Sequence, residues 1–110
     1  VNRDQLARLL EIAKSLAMFE GLQPPDLITV KIDKKIPHGN TVTEGLVVDE
    51  YTNILYIEDT TIDNLVYRIL AGIFYLSIWN TYMAKSPGKA CELARKHFFK
   101  TLIRITGGSR

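Results

Sequence analysis

IDNLVYRILAGIFYLSIWNTYMA, residues 62–84, places apolar side chains on every side of a helical projection: Ile62, Leu65, Val66, Ile69, Leu70, Ile73, Phe74, Leu76, Ile78, Trp79 and Met83. A helix that is hydrophobic all round is either buried on most of its surface or lies in a membrane. A bilayer span needs about 20 mostly apolar residues. The uncharged run here, Ile69–Ala84, holds 16 and includes Ser77, Asn80 and Thr81. The segments on either side also need a core to face, so residues 62–84 read as the buried central helix, with no membrane span. Thr60 or Thr61 is placed to cap it, and Asp63 lies in its first turn, where the helix dipole favours negative charge.

Upstream, Leu6, Leu9, Leu10, Ala13, Leu16 and Ala17 form a stripe at helical spacing, which predicts a helix over about 3–20. Asn2 is its expected cap, with Gln5 three residues on. Arg8, Glu11 and Lys14 face away, with Glu11 and Lys14 within pairing reach. Gly21 and Pro24-Pro25 end it. LITVKID (27–33) alternates as a half-buried strand. Pro37-His38-Gly39-Asn40 is turn chemistry, and strands over about 43–51 and 54–58 joined at Thr52-Asn53 predict an antiparallel hairpin. A short fourth strand fits near Thr41-Val42. Downstream, Ser86-Pro87 starts a helix over about 87–105. Ala90, Leu93, Ala94, His97, Phe98, Thr101, Leu102 and Ile105 form its buried face, and Gly107-Gly108 stops it. The predicted whole is one α+β domain, residues 1–110, with three helices and a small, mostly antiparallel sheet of three or four strands in the order α-β-β-β-α-α.

Composition narrows the chemistry. Cys91 is the only cysteine, so no disulfide framework exists and a reducing, cytoplasmic setting suits the chain. Residues 1–20 are charged and amphipathic, unlike a secretory signal. No phosphate-binding glycine loop and no nucleophile–base pair is present, and no cofactor is expected. Asp49, Glu50, Glu58, Asp59 and Asp63 gather at hairpin ends and a helix start, which fits solubilising and dipole-matched roles better than acid–base or divalent-cation work. His97 reads as a hydrogen-bonded core or boundary histidine and His38 as a loop residue. The five tyrosines are expected in packing, with their hydroxyls at helix ends or edges.

The net charge of +2 conceals an asymmetry. Residues 1–84 carry −4 and residues 85–110 carry +6. Lys89, Lys96, Lys100 and Arg104 stack along one side of the last helix, and Lys85, Arg95 and Arg110 widen the band. Such a stripe either contacts an anionic partner, including phosphates, or is simply a solvated face. No exposed aromatic interleaving is expected on it.

The order of elements is similar to that of minimal zincin-like metallopeptidases of the ImmA/IrrE type. The residues that carry the resemblance are GLVVDEYTNILYIED (45–59), Arg68-Ile69-Leu70-Ala71, and CELARKHFFKTLI (91–103). The family holds zinc through H-E-x-x-H on the helix after the sheet. In that register Gly72, Ile73 and Leu76 stand at the two histidines and the glutamate, and none of them can ligate zinc or move a proton. The resemblance therefore implies a metal-free scaffold, a binding or accessory protein rather than an enzyme, and an association with mobile elements or stress regulation. Its partner is expected to be a protein or a second copy of the chain. Nucleic acid on the basic helix face is the alternative, and an enzyme with an unrecognised site the third reading.

Overall fold

The computed structural model describes residues 1–107. Elements follow in the order α1 (Arg3–Phe19), β1 (Thr29–Asp33), β2 (Thr41–Thr43), β3 (Leu46–Asp49), β4 (Ile54–Glu58), α2 (Ile62–Tyr82) and α3 (Pro87–Thr106). The α+β class and the three helices are as the sequence predicts. Gly108, expected to help stop the last helix, lies outside the described residues.

α1 begins with the expected reciprocal cap: Gln5 N–H donates to Asn2 Oδ1 at 2.8 Å, and Asn2 N–H donates to Gln5 Oε1 at 3.1 Å. Lys14 does not pair with Glu11; its ammonium donates to the Asp26 carbonyl at 2.8 Å and ties α1 to the loop before β1. At α2 and α3 the caps lie where the sequence puts them, yet neither the Thr61 nor the Ser86 side chain caps its helix. The Thr61 side chain instead acts on Asp63 in the first turn, as the main reason that carboxyl lies below its ordinary value. α2 ends two residues early, with Met83 in the left-handed conformation and its N–H on the Trp79 carbonyl at 2.8 Å.

The sheet is mostly antiparallel and four-stranded, as the sequence predicts, and departs from expectation only in its strand bounds. The strand expected over 43–51 is broken at Glu44-Gly45, so β2 and β3 form a tight hairpin of their own. Gly45 makes that turn at φ +78°, and any side chain there would collide with the Arg68 guanidinium, which donates to the Glu58 carbonyl at 2.7 Å. The strand order is β1-β4-β3-β2, with β1 parallel to β4 and the other two pairings antiparallel. Leu27, expected in the first strand, precedes β1 and is exposed.

α2 lies between this sheet and the α1–α3 pair. Leu65, Val66, Ile69 to Leu76 and Ile78 are buried, together with Leu46, Val48, Leu55 and Ile57 from the sheet and Leu9, Ile12, Ala13, Leu93 and Ala94 from the flanking helices. α2 is thus long and apolar enough to cross a membrane by length and composition, but 67% of its most apolar window is buried inside the protein. Gly72 sets the spacing to the sheet: a Cβ there would stand 2.7 Å from Leu55 Cδ1 and 3.2 Å from its Cγ. Gly72→Val is expected to destabilise the protein by about 1–3 kcal/mol through overpacking. Leu55→Ala alone should cost about 2–5 kcal/mol. Urea unfolding of the double variant should show a loss smaller than the two losses added, because the truncated leucine makes room for the new side chain.

Candidate functional site

α3 carries the basic residues singled out in the sequence, and its environment sorts them. Lys85 is exposed in the connection before α3, and Lys89, Arg95, Lys96, Lys100 and Arg104 are all exposed on the helix. Three of the six have internal partners. Lys89 Nζ lies 3.1 Å from Glu92, and Lys96 Nζ lies 2.8 Å from Glu20, the residue that caps the end of α1. Arg95 is turned about 100° from Lys96, as successive helical residues are, and its guanidinium donates to the Tyr67 hydroxyl at 3.4 Å. Among the described residues no side-chain hydrogen bond or ion pair engages Lys85, Lys100 or the Arg104 guanidinium. Arg110 lies outside the described residues. A cation that the stripe did not include joins it from α1: Arg8 donates to the Arg104 carbonyl at 2.9 Å, bringing a second guanidinium beside Arg104.

Glu20 anchors the inner margin of this face. Its Oε2 accepts from Lys96 and lies 2.7 Å from His97 Nε2, which must carry the proton in that bond because a carboxylate only accepts. His97 is stacked on Phe74 at 5.8 Å between ring centroids and meets Phe19 edge-on at 6.3 Å. The hydrogen-bonded boundary histidine expected from sequence is therefore present.

The expectation of no exposed aromatic on the basic face is overturned. Phe99 is 70% exposed and lies four residues after Arg95 and four before the half-buried Ile103. Lys96 and Lys100 lie on one side of that apolar pair, and Glu92 one turn beyond Arg95. The signal for Phe99 was in the sequence. Phe98 belongs to the buried periodicity of Ala94 and Leu102, and its neighbour, about 100° away, cannot share that face. A groove of 350 Å³ runs between α2 and α3, lined by Asp63, Asn64, Tyr67, Arg95 and Phe98. Tyr67 and Phe98 meet edge-on at 6.3 Å. Burial, reinforced by the nearby Cys91 thiol, raises the Tyr67 phenol above its ordinary value, with Arg95 opposing.

The acidic residues divide as well. Asp49 caps the turn after β3 by accepting from Tyr51 N–H at 3.0 Å and Thr52 N–H at 3.3 Å. Glu50, expected as a solubilising surface residue, is instead buried and only 8% exposed. Its Oε1 accepts from Asn40 Nδ2 at 3.1 Å and from the buried Tyr75 hydroxyl at 3.2 Å, while Asn40 Nδ2 lies 2.6 Å from that hydroxyl. Sequence reading missed Asn40 and Tyr75, whose distance along the chain from Glu50 gives no local sign of contact. Gly72, Ile73 and Leu76 are fully enclosed in the core. Among the described residues no three His, Cys, Asp or Glu side chains are grouped so as to hold a metal ion.

Comparison with protein-family models, with curated proteins and with solved structures finds no match to this chain.

Glu20 supplies a test of how α1 and α3 are joined. Lys96 first, and His97 second, hold its carboxyl below the ordinary 4.5, so the pairing stabilises the fold above that pH and the gain is lost as pH falls through the lowered value. Thermal melts should therefore show Glu20→Gln less stable than the parent protein at neutral pH, with the gap closing in acid below 4.5. A gap that persists unchanged into strong acid would refute this coupling.

Proposed function

We propose that this chain is a non-enzymatic binding protein that docks an acidic, amphipathic segment of a protein partner on the outer face of α3. The observation that carries the reading is Phe99, 70% exposed and in line with Ile103, within a band of cations. A large aromatic held in water on a rigid helix is the kind of side chain that anchors an interface. An apolar pair at i and i+4 matches a partner helix with apolar residues at the same spacing. Lys85, Lys100, Arg104 and Arg8 supply charge complementarity to carboxylates flanking that stripe, which speeds encounter and selects the partner.

Protein is favoured over nucleic acid because the face is not uniformly cationic. Lys89 and Lys96 are already paired, and Glu92 and Glu20 lie among the lysines. The similarity in element order to ImmA/IrrE-type zincin-like proteins supports a non-catalytic role, since apolar core residues stand where that family holds zinc. Cys91, a lone thiol, fits action in a reducing, cytoplasmic compartment.

Fluorescence anisotropy with two probes tests the proposal: a synthetic helix carrying leucines at i and i+4 flanked by glutamates, and a mixed-sequence single-stranded DNA. The peptide is expected to bind with moderate salt dependence, and Phe99→Ser should weaken it by about tenfold or more, the loss typical of an interface anchor. Lys100→Glu with Arg104→Glu should weaken it further in low salt than in high salt. Binding of DNA alone, falling steeply with salt and indifferent to Phe99→Ser, would replace this reading with nucleic-acid binding. Peptide binding that ignores both sets of substitutions would overturn it.

A further inference from the structure

The two edges of the sheet are finished differently. β2 is three residues long, is interrupted by a register shift between Thr41 and Thr43, and lies within 8 Å of both α2 and α3, Cα to Cα. Short, irregular and covered edges are how sheets avoid pairing with another chain. β1 has none of these three protections. It is five residues of unbroken register on β4, and no helix lies within 8 Å of it, Cα to Cα. The direction of its outer backbone groups follows from its inner ones. Thr29 N–H donates to the Asn53 carbonyl at 3.0 Å, and the Asp33 carbonyl accepts from Asp59 N–H at 2.8 Å. Alternate residues of a parallel strand turn to the same neighbour. Thr29, Lys31 and Asp33 therefore face β4, and the N–H and C=O groups of Val30 and Ile32 face away from the sheet. Among the described residues nothing bonds those four groups.

We infer that β1 pairs with β1 of a second copy of the chain, antiparallel about a two-fold axis at Ile32, so that two four-stranded sheets join into one. Because Val30 and Ile32 are the strand residues that turn outward, a two-fold partner can meet β1 only in registers whose axis passes through a residue. Charge chooses among these. With the axis at Lys31, the two Lys31 ammoniums stand opposite each other, which is destabilising. With the axis at Val30, Lys31 meets Thr29 and Asp33 meets Leu27, so neither charge is answered. With the axis at Ile32, Lys31 of each copy stands opposite Asp33 of the other. The strand thus carries its own complement, as an interface between identical copies requires. An edge of one sign would suit a partner of opposite sign, whereas Lys31 and Asp33 placed symmetrically about Ile32 suit a second copy.

The side chains that this register needs are available. Thr29, Lys31 and Asp33 are exposed. Lys31 has no carboxylate partner among the described residues, and its ammonium lies 5.8 Å from the centroid of the Tyr56 ring. Asp33 accepts from the adjacent Lys34 N–H at 2.7 Å. On pairing, Ile32 and its counterpart exchange both of their outward backbone hydrogen bonds. The flanking Lys31–Asp33 pairs are then of the closer, non-hydrogen-bonded kind, with Cα atoms about 4.5 Å apart. On the opposite face of β1, Val30 and Ile32 are only half-buried, although their β4 neighbours Leu55 and Ile57 are fully buried. The apolar row of the sheet therefore ends in water at β1, and Ile32 of the second copy extends it. A contact of this size makes a weak dimer that forms as concentration rises.

Sedimentation equilibrium from micromolar to millimolar protein, with amide hydrogen exchange followed by NMR on the same samples, tests the pairing. The parent protein is expected to pass from monomer to dimer as concentration rises, with the Val30 and Ile32 amides becoming protected in step. Lys31→Asp alone and Asp33→Lys alone should each weaken the dimer by about tenfold, because two symmetry-related attractions become repulsions. Lys31→Asp combined with Asp33→Lys should restore it. Ile32→Pro should leave a folded monomer, since an edge strand accepts proline where the N–H faces water. Phe99→Ser should leave the dimer unchanged, so this contact and the α3 face stand or fall separately. A chain that stays monomeric at millimolar concentration would overturn the inference, and so would a dimer whose Val30 and Ile32 amides remain unprotected. A dimer that the single charge reversals leave intact, or that the double exchange fails to restore, would overturn it as well.

Discussion

The close approach of α2 to the sheet is the constraint on which the rest of the molecule depends. Gly72 lets the helix backbone come down onto Leu55, a contact that a single methyl would disturb. With that spacing, residues 69–76 of α2 are enclosed on every side. Interiors of this density tolerate neither added nor missing volume, so the helix transmits its position to everything packed on it. α1 and α3 close the other side, and each packs chiefly on α2.

A second tie runs through polar atoms. Glu50, Asn40 and Tyr75 bring the end of β3, the turn before β2 and the middle of α2 to one point. A buried ionisable group with defined partners is a poor source of net stability but a strong source of geometric definition, because removing one partner strands the others. The triangle holds the turn before β2 against the core.

α3 serves two surfaces at once. Its inner side meets α2, and its His97 and Lys96 join α1 through Glu20. These ties consume part of the charge that looked uncommitted along the stripe, and they leave an outer band in which Phe99, Lys100 and Arg104 face water. The asymmetry between the acidic body and the basic last segment is thus partly internal complementarity and partly surface potential.

The three helices, their limits within two residues and the α+β class followed from local periodicity, because spacing of apolar residues is a property of each segment by itself. Burial of residues 62–84 followed too, since no side of that helix is suited to water. What tertiary structure decided involves partners far apart in sequence. The parallel pairing of β1 with β4 joins strands separated by the entire β2–β3 hairpin. Glu50 looked like any acidic turn residue until Tyr75, 25 residues later, stood over it. The same holds for Lys96, whose neutralising Glu20 is 76 residues away. Phe99 lies between the two cases: periodicity alone places it off the buried face, and only the packed fold shows that nothing else among the described residues covers it. A sequence records which side chains seek burial or charge compensation, and the fold decides which of them find it.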